Sequence, residues 1–168
     1  VKVVVVVAVL LNACGSAQAP PRPRCPAGDL VVQTDEEARA LAPCTAIAGS
    51  LTIGPSMALE SVPQLASVRS IRGALVIRGN LVLTGIYFPA LVSAEQVVIE
   101  GNHLMTTASL HRVRRVARDV VVRGNHGLER LDLGALEAVG GAVDLRDNPR
   151  LDTVELGAVR ERPGKGPR

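Results

Sequence analysis

Aromatic side chains are nearly missing from this chain of 168 residues: tryptophan is absent, and Tyr87 and Phe88 are the sole tyrosine and phenylalanine. A core without large rings must be filled by aliphatic residues, and the apolar 47% of the chain is almost all Val, Leu, Ile and Ala. The same lack removes the stacking platforms that single-stranded nucleic acid needs, and a net charge of +3 is too small for a phosphate-tracking surface. No nucleic-acid partner is expected. Long hydrophobic runs are also lacking: the longest, VVVVVAVLL (3–11), has nine residues, far short of the ~20 that span a bilayer as a helix. The chain has no CxxC pair, nucleophile elbow, phosphate loop or zinc signature. These absences argue against an enzyme, a bound metal and a cofactor.

What is present is a repeat. The stretches GSLTIGPSMAL (49–59), GALVIRGNLVL (73–83), EQVVIEGNHL (95–104), DVVVRGNHGL (119–128) and GAVDLRDNPRL (141–151) align on Leu51/Ile53, Leu75/Ile77, Val97/Ile99, Val120/Val122 and Val143/Leu145. The steps between them are 24, 22, 23 and 23 residues. A period of that length marks a solenoid, in which each turn buries its core against its neighbours. Within one turn, Val120 and Val122 point inward and Val121 outward, Gly124 and Asn125 turn a corner, and Leu131-Asp132-Leu133 makes a second short strand. Leu136 and Val139 then close the turn. The expected fold is mainly β: about five turns of 22–24 residues with a small helical cap at the N-terminal end.

The N-terminal run after Lys2 suits an export signal. Leu11-Asn12-Ala13-Cys14 resembles a bacterial lipobox, with an apolar residue at −3, a small one at −1 and the Cys to be acylated. Ala17-Gln18-Ala19 offers a competing small-x-small cleavage site, but Pro20 would follow that cut. The expectation is a lipoprotein signal peptide over 1–13, Cys14 as the lipidation site, and a Pro-rich tether over 14–24. The address is then the bacterial cell envelope, held to the membrane by lipid and matching the outer-membrane class at Gly15; the alternative is a secreted protein.

An exported chain meets an oxidising compartment, so the remaining Cys25 and Cys44 read as a disulfide. Between them, Leu30-Val31-Val32 suggests a short strand, and Thr34 with Glu37 suggests a capping box opening a brief helix that Pro43 ends. Cys25-Pro26, that strand, Leu41-Ala42-Pro43-Cys44 and then Ile47-Ala48-Gly49-Ser50-Leu51-Thr52-Ile53 resemble the opening of a receptor L domain, the module of insulin- and growth-factor-receptor ectodomains. The resemblance covers residues 25–159 and implies a short right-handed β-solenoid with leucine-rich-repeat-like turns and a binding role. A cysteine-rich second domain is not recognisable here, so growth-factor binding does not carry over. Residues 160–168 lose the periodicity and suggest a disordered basic tail. The turn before it would be poorly covered, which leaves it open to self-association.

Four groups of residues are weighed for function. Asn80, Asn102, Asn125 and Asn148, with Ser56 in line, form a column that reads as a structural ladder. The outward residues of the main strands form two further columns: Thr52, Val76, Val98, Val121 and Asp144, and beside them Gly54, Arg78, Glu100, Arg123 and Arg146. An apolar stripe of Val76, Val98 and Val121 with a rim of Arg78, Glu100, Arg123 and Arg146 has the pattern of a protein-binding face; the plainer reading is that valine favours strands. Asp132 and Glu155, one period apart, could do acid/base work on an envelope polysaccharide or hold one, which is the alternative reading of function, although short corners and scarce aromatics weigh against it. His103 and His126 are also one period apart, but Leu81 and Pro149 occupy the equivalent positions, so they read as turn residues and not as metal ligands.

Overall fold

The alternation of inward and outward residues in each repeat is a strand signal, and strands are what the chain forms. In the computed structural model, which describes residues 25–161, the repeats build a parallel six-stranded main sheet. Its strands are Leu30–Val32, Leu51–Ile53, Ala74–Arg78, Gln96–Glu100, Val120–Arg123 and Val143–Asp144. Leu51, Leu75, Val97, Val120 and Val143 lie in one row, in the register that the repeats predict. The expected signal peptide over 1–13, Cys14 and the whole of the expected tether over 14–24 lie outside the described residues.

Two more parallel sheets complete each turn. A side sheet contains Gly85–Tyr87, Thr107–Ser109, Arg130–Leu133 and Thr153–Leu156. A narrow sheet contains two-residue strands: Ala46–Ile47, Ser70–Ile71, Ser93–Ala94, Arg115–Val116, Ala138–Val139 and Arg160–Glu161. Two boundaries differ from expectation. Leu30–Val32 belongs to the coil, not only to the cap, because it pairs in register with Leu51–Ile53 and makes a sixth rung on the main face. Arg160 and Glu161, expected in a disordered tail, pair with Ala138 and Val139. The backbone groups of the preceding rung recruit them although their side chains carry no apolar pattern.

The core between the three sheets is a stack of aliphatic layers: Leu51, Leu75, Val97 and Val120 from the main sheet, Ile86, Ala108 and Leu131 from the side sheet, and Ile71, Ala94, Val116 and Val139 from the narrow one. Phe88 is the one aromatic among the fully buried side chains. Each large aliphatic side chain so buried contributes about 1.5–3 kcal/mol. In the last rung the corresponding residues Val143, Val154 and Leu156 are exposed.

The other end is covered. Thr34 Oγ1 accepts from the N–H of Glu37 at 3.3 Å, and the Glu37 carboxylate accepts from the N–H groups of Thr34 at 3.1 Å and Gln33 at 2.7 Å. That reciprocal box starts the helix Asp35–Ala40, which lays Ala38 on the core. Cys25 and Cys44 are joined in a disulfide with their Cα atoms 5.3 Å apart.

The three corners differ in how strictly they keep their length. From main to side sheet, Leu75 to Gly85, Val97 to Thr107, Val120 to Arg130 and Val143 to Thr153 are each ten residues. From narrow to main sheet the interval shortens once, at Ser93 to Val97. From side to narrow sheet it shortens once, at Thr153 to Arg160. The long first step of the repeat arises between Ile53 and Ser70, the segment that carries the 3-10 helix Pro63–Leu65.

Candidate functional site

The corner of constant length is held by the asparagine column. Asn80, Asn102 and Asn125 are fully buried. Each side-chain amide donates to a carbonyl of the preceding rung: Asn80 to Ile53 at 3.1 Å, Asn102 to Ile77 at 2.9 Å, Asn125 to Ile99 at 2.9 Å and Asn148 to Val122 at 2.7 Å. The Oδ1 atoms of Asn102, Asn125 and Asn148 in turn accept from the asparagine one rung earlier, as between Asn80 Nδ2 and Asn102 Oδ1 at 2.9 Å, whereas Asn80 Oδ1, at the head of the column, is buried without a partner among the described residues. A buried column whose hydrogen bonds run within the protein is structural. Ser56 begins it, its hydroxyl donating to Gln33 O at 2.6 Å and accepting from the N–H groups of Ala58 and Leu59.

The left-handed residue of the corner is the one before the asparagine. Gly79, Gly101 and Gly124 have φ of 63°, 64° and 65°, and Asp147 takes the place at φ 60° in the last rung. Asparagine is thus needed for its amide, and glycine for the backbone. Beyond the column, the His103 and His126 rings stack with centroids 5.5 Å apart and planes 14° apart. Among the described residues, no group of three side chains is placed to ligate a metal.

The outward face of the main sheet assembles the two columns read from the sequence. Val31, Thr52, Val76, Val98, Val121 and Asp144 stand in one in-register row, with Val31 56% exposed. Beside it runs Arg78, Glu100 and Arg123, in which Arg123 Nε lies 3.2 Å from Glu100 Oε1. Arg146 folds back on its own strand, donating to both carboxylate oxygens of Asp144 at 2.8 and 2.7 Å. The guanidinium pulls the Asp144 carboxyl down to about 2. Gly54, placed at the head of the charged column, is buried at the corner beside Asn80 and does not join the face. The three central valines are half-buried by their neighbours, so the stripe is flat and only partly open.

The side sheet presents a second face. Tyr87, Ser109, Asp132 and Glu155 form one row across its four strands. Ser109 Oγ lies 3.2 Å from His111 Nδ1 and 3.3 Å from Asp132 Oδ2, and the His111 ring stacks on Tyr87 with centroids 5.6 Å apart. Asp132 contacts the serine and not the imidazole, unlike a hydrolytic triad, in which the carboxylate orients the histidine. Sequence reasoning paired Asp132 with Glu155 but missed Tyr87, Ser109 and His111, because none of them repeats.

The structure is a parallel solenoid with an internal amide ladder and broad, short-cornered faces. The receptor L domain family model matches residues 43–156, more than half of the chain, and the chain belongs to that family. Membership points to a protein-binding module. Comparisons with curated proteins and with solved structures find no match.

Proposed function

We propose that this chain is a non-enzymatic, lipid-anchored protein of the bacterial cell envelope, and that the main sheet receives a protein partner. The observation that carries the reading is the in-register outward row of Val31, Val76, Val98 and Val121 alongside Arg78, Glu100 and Arg123. An apolar stripe with charges of both signs at its border suits a protein surface: the stripe contributes burial and the rim sets register. Cys14 would supply the anchor, and the proline-rich segment after it would hold the sheet clear of the membrane. No helix among the described residues is long and apolar enough to cross a membrane.

The test is a photo-crosslinking residue placed at Val98 in the native host, with the same residue at Arg115 on the narrow sheet as reference. A discrete adduct at Val98 that disappears when Val121→Lys is added supports the reading. Adducts of equal yield from both faces, or none from the main sheet, would remove it. The intact mass of the mature protein decides the anchor separately: acyl chains on Cys14 support it, and an unmodified chain beginning at Pro20 refutes it.

A further inference from the structure

The side sheet carries a groove that the protein-binding reading does not use. It is about 350 Å³, and its lining includes Pro63, Ala66, Gly85, Tyr87, Thr107 and Ser109. The 3-10 helix Pro63–Leu65, which replaces a side-sheet strand in this rung, makes one wall. Gly85 and Thr107 make the floor, where a side chain on residue 85 would press on the Thr107 carbonyl at 3.2 Å. Tyr87 is 56% exposed and lines the groove, while His111 stacks on it from outside. The sole tyrosine of the chain therefore stands held at the mouth of an apolar hollow.

From Tyr87 the row continues through Ser109 and Asp132 to Glu155, spanning ~14 Å at the usual strand spacing. The two carboxylates converge over Gly134: a β-carbon there would stand 3.3 Å from Asp132 Oδ1 and 3.7 Å from Glu155 Oε2. One end of the trough is thus an aromatic and proline wall. The other end is a run of hydroxyl and acceptor-only carboxylate oxygens. Arg130, two residues before Asp132 on the same strand and in register with Thr153, adds a cationic side chain to that end of the row. A ligand with an apolar flat face and several hydroxyl donors, without net charge, satisfies both ends.

We propose that this trough binds a neutral oligosaccharide, with the C–H face of one pyranose ring on Tyr87 and the hydroxyls of the next residues donating to Asp132 and Glu155. Ser109 bridges the two halves. His111 is a positioning residue that holds the Tyr87 ring and the Ser109 hydroxyl. The site is separate from the main-sheet face, so either can fail without the other.

The test is calorimetric titration of the folded protein with cellotetraose and with chitotetraose. Tyrosine fluorescence, which here reports Tyr87 alone, is read in parallel. Binding in the range of about 0.1–1 mM with a fluorescence change is expected. Tyr87→Ala should weaken it about ten-fold, the upper end of an aromatic stacking contribution, while Tyr87→Phe stays within about three-fold. Asp132→Asn should weaken it about five-fold, near the difference between a hydrogen bond to a charged group and one to a neutral group. Val98→Lys should leave it unchanged. Both site residues point outward, so melting curves of the variants should overlay that of the parent. The proposal is overturned if neither sugar binds by ~10 mM, if Tyr87→Ala binds as well as the parent, or if trilysine binds the trough more tightly than either sugar.

Discussion

Replacing Asn102 by Ala tests the asparagine column where it is most deeply buried. Asn102 Nδ2 donates to Ile77 O at 2.9 Å and Asn125 Oδ1 at 3.1 Å, and Asn102 Oδ1 accepts from Asn80 N at 3.3 Å and Asn80 Nδ2 at 2.9 Å. Truncation takes the side-chain acceptor from the Asn80 N–H and the amide donor from the Ile77 carbonyl, in a place water does not reach. Asn125 Oδ1 keeps the backbone N–H of Asn102, at 3.1 Å. At about 1–3 kcal/mol for each buried group left unpaired, the loss should be ~4 kcal/mol. A typical domain has about 5–15 kcal/mol in all. Asn148 makes the same kind of bonds, to Val122 O at 2.7 Å and from Asn125 N at 3.0 Å, but it is half-exposed, so water can replace much of what Asn148→Ala removes. That variant should cost ~1–2 kcal/mol. Urea titrations followed by far-UV circular dichroism compare the two directly. A loss below ~1 kcal/mol for Asn102→Ala, or equal losses for both variants, would refute the claim that buried amide bonds hold the corner.

Reduction of the Cys25–Cys44 bridge, or its replacement by two serines, should destabilise the folded chain by ~3 kcal/mol, measured as the shift in urea midpoint with and without reductant. Asp147→Gly should stabilise by about 0.5–1 kcal/mol, because it removes a side chain from the left-handed conformation that Gly79, Gly101 and Gly124 occupy in the other rungs; an unchanged or lower melting temperature counts against this. The N–H of Gln33, followed by the bonds from Thr34, holds the Glu37 carboxyl below its ordinary 4.5. Its stabilisation is therefore present above pH 4.5 and is lost as the pH falls through the lower folded value, so the gap in melting temperature between the parent and Glu37→Gln should be constant above pH 4.5 and narrow on acidification below it. Asp144, held at about 2 against an ordinary 3.8, loses its contribution in a lower window. The stability difference between the parent and Arg146→Ala should therefore narrow as the pH falls from 3.8 towards 2; a difference that does not change over that range would contradict the Asp144–Arg146 assignment.

The fold was legible because its physics is periodic. Paired apolar residues at constant steps mark the main strands, Asn80 through Asn148 mark one corner, and Thr34 with Glu37 marks the cap. The narrow sheet escaped, since two-residue strands such as Ser93–Ala94 are too short to show alternation. The rung of Leu30–Val32 escaped for a related reason: its strand lies so close to the cap helix that it has no asparagine corner of its own. The side-sheet trough was invisible for the opposite cause. Tyr87, Ser109, His111 and Pro63 are unlike one another, and only the stacking of successive rungs brings four different residues to one place.

The ten-residue interval between main and side sheets decides where this chain can be cut and lengthened. Inserting even one residue between Arg78 and Gly85 would move Asn80 out of line with Asn102 or tilt every strand after it. The stretch between Ser93 and Val97 and the stretch between Leu156 and Arg160 already absorb single-residue differences. Grafted loops, tags or reporter peptides belong at those two corners. In descendants of this sequence, gains and losses of length should collect there while the asparagine corner varies only by substitution.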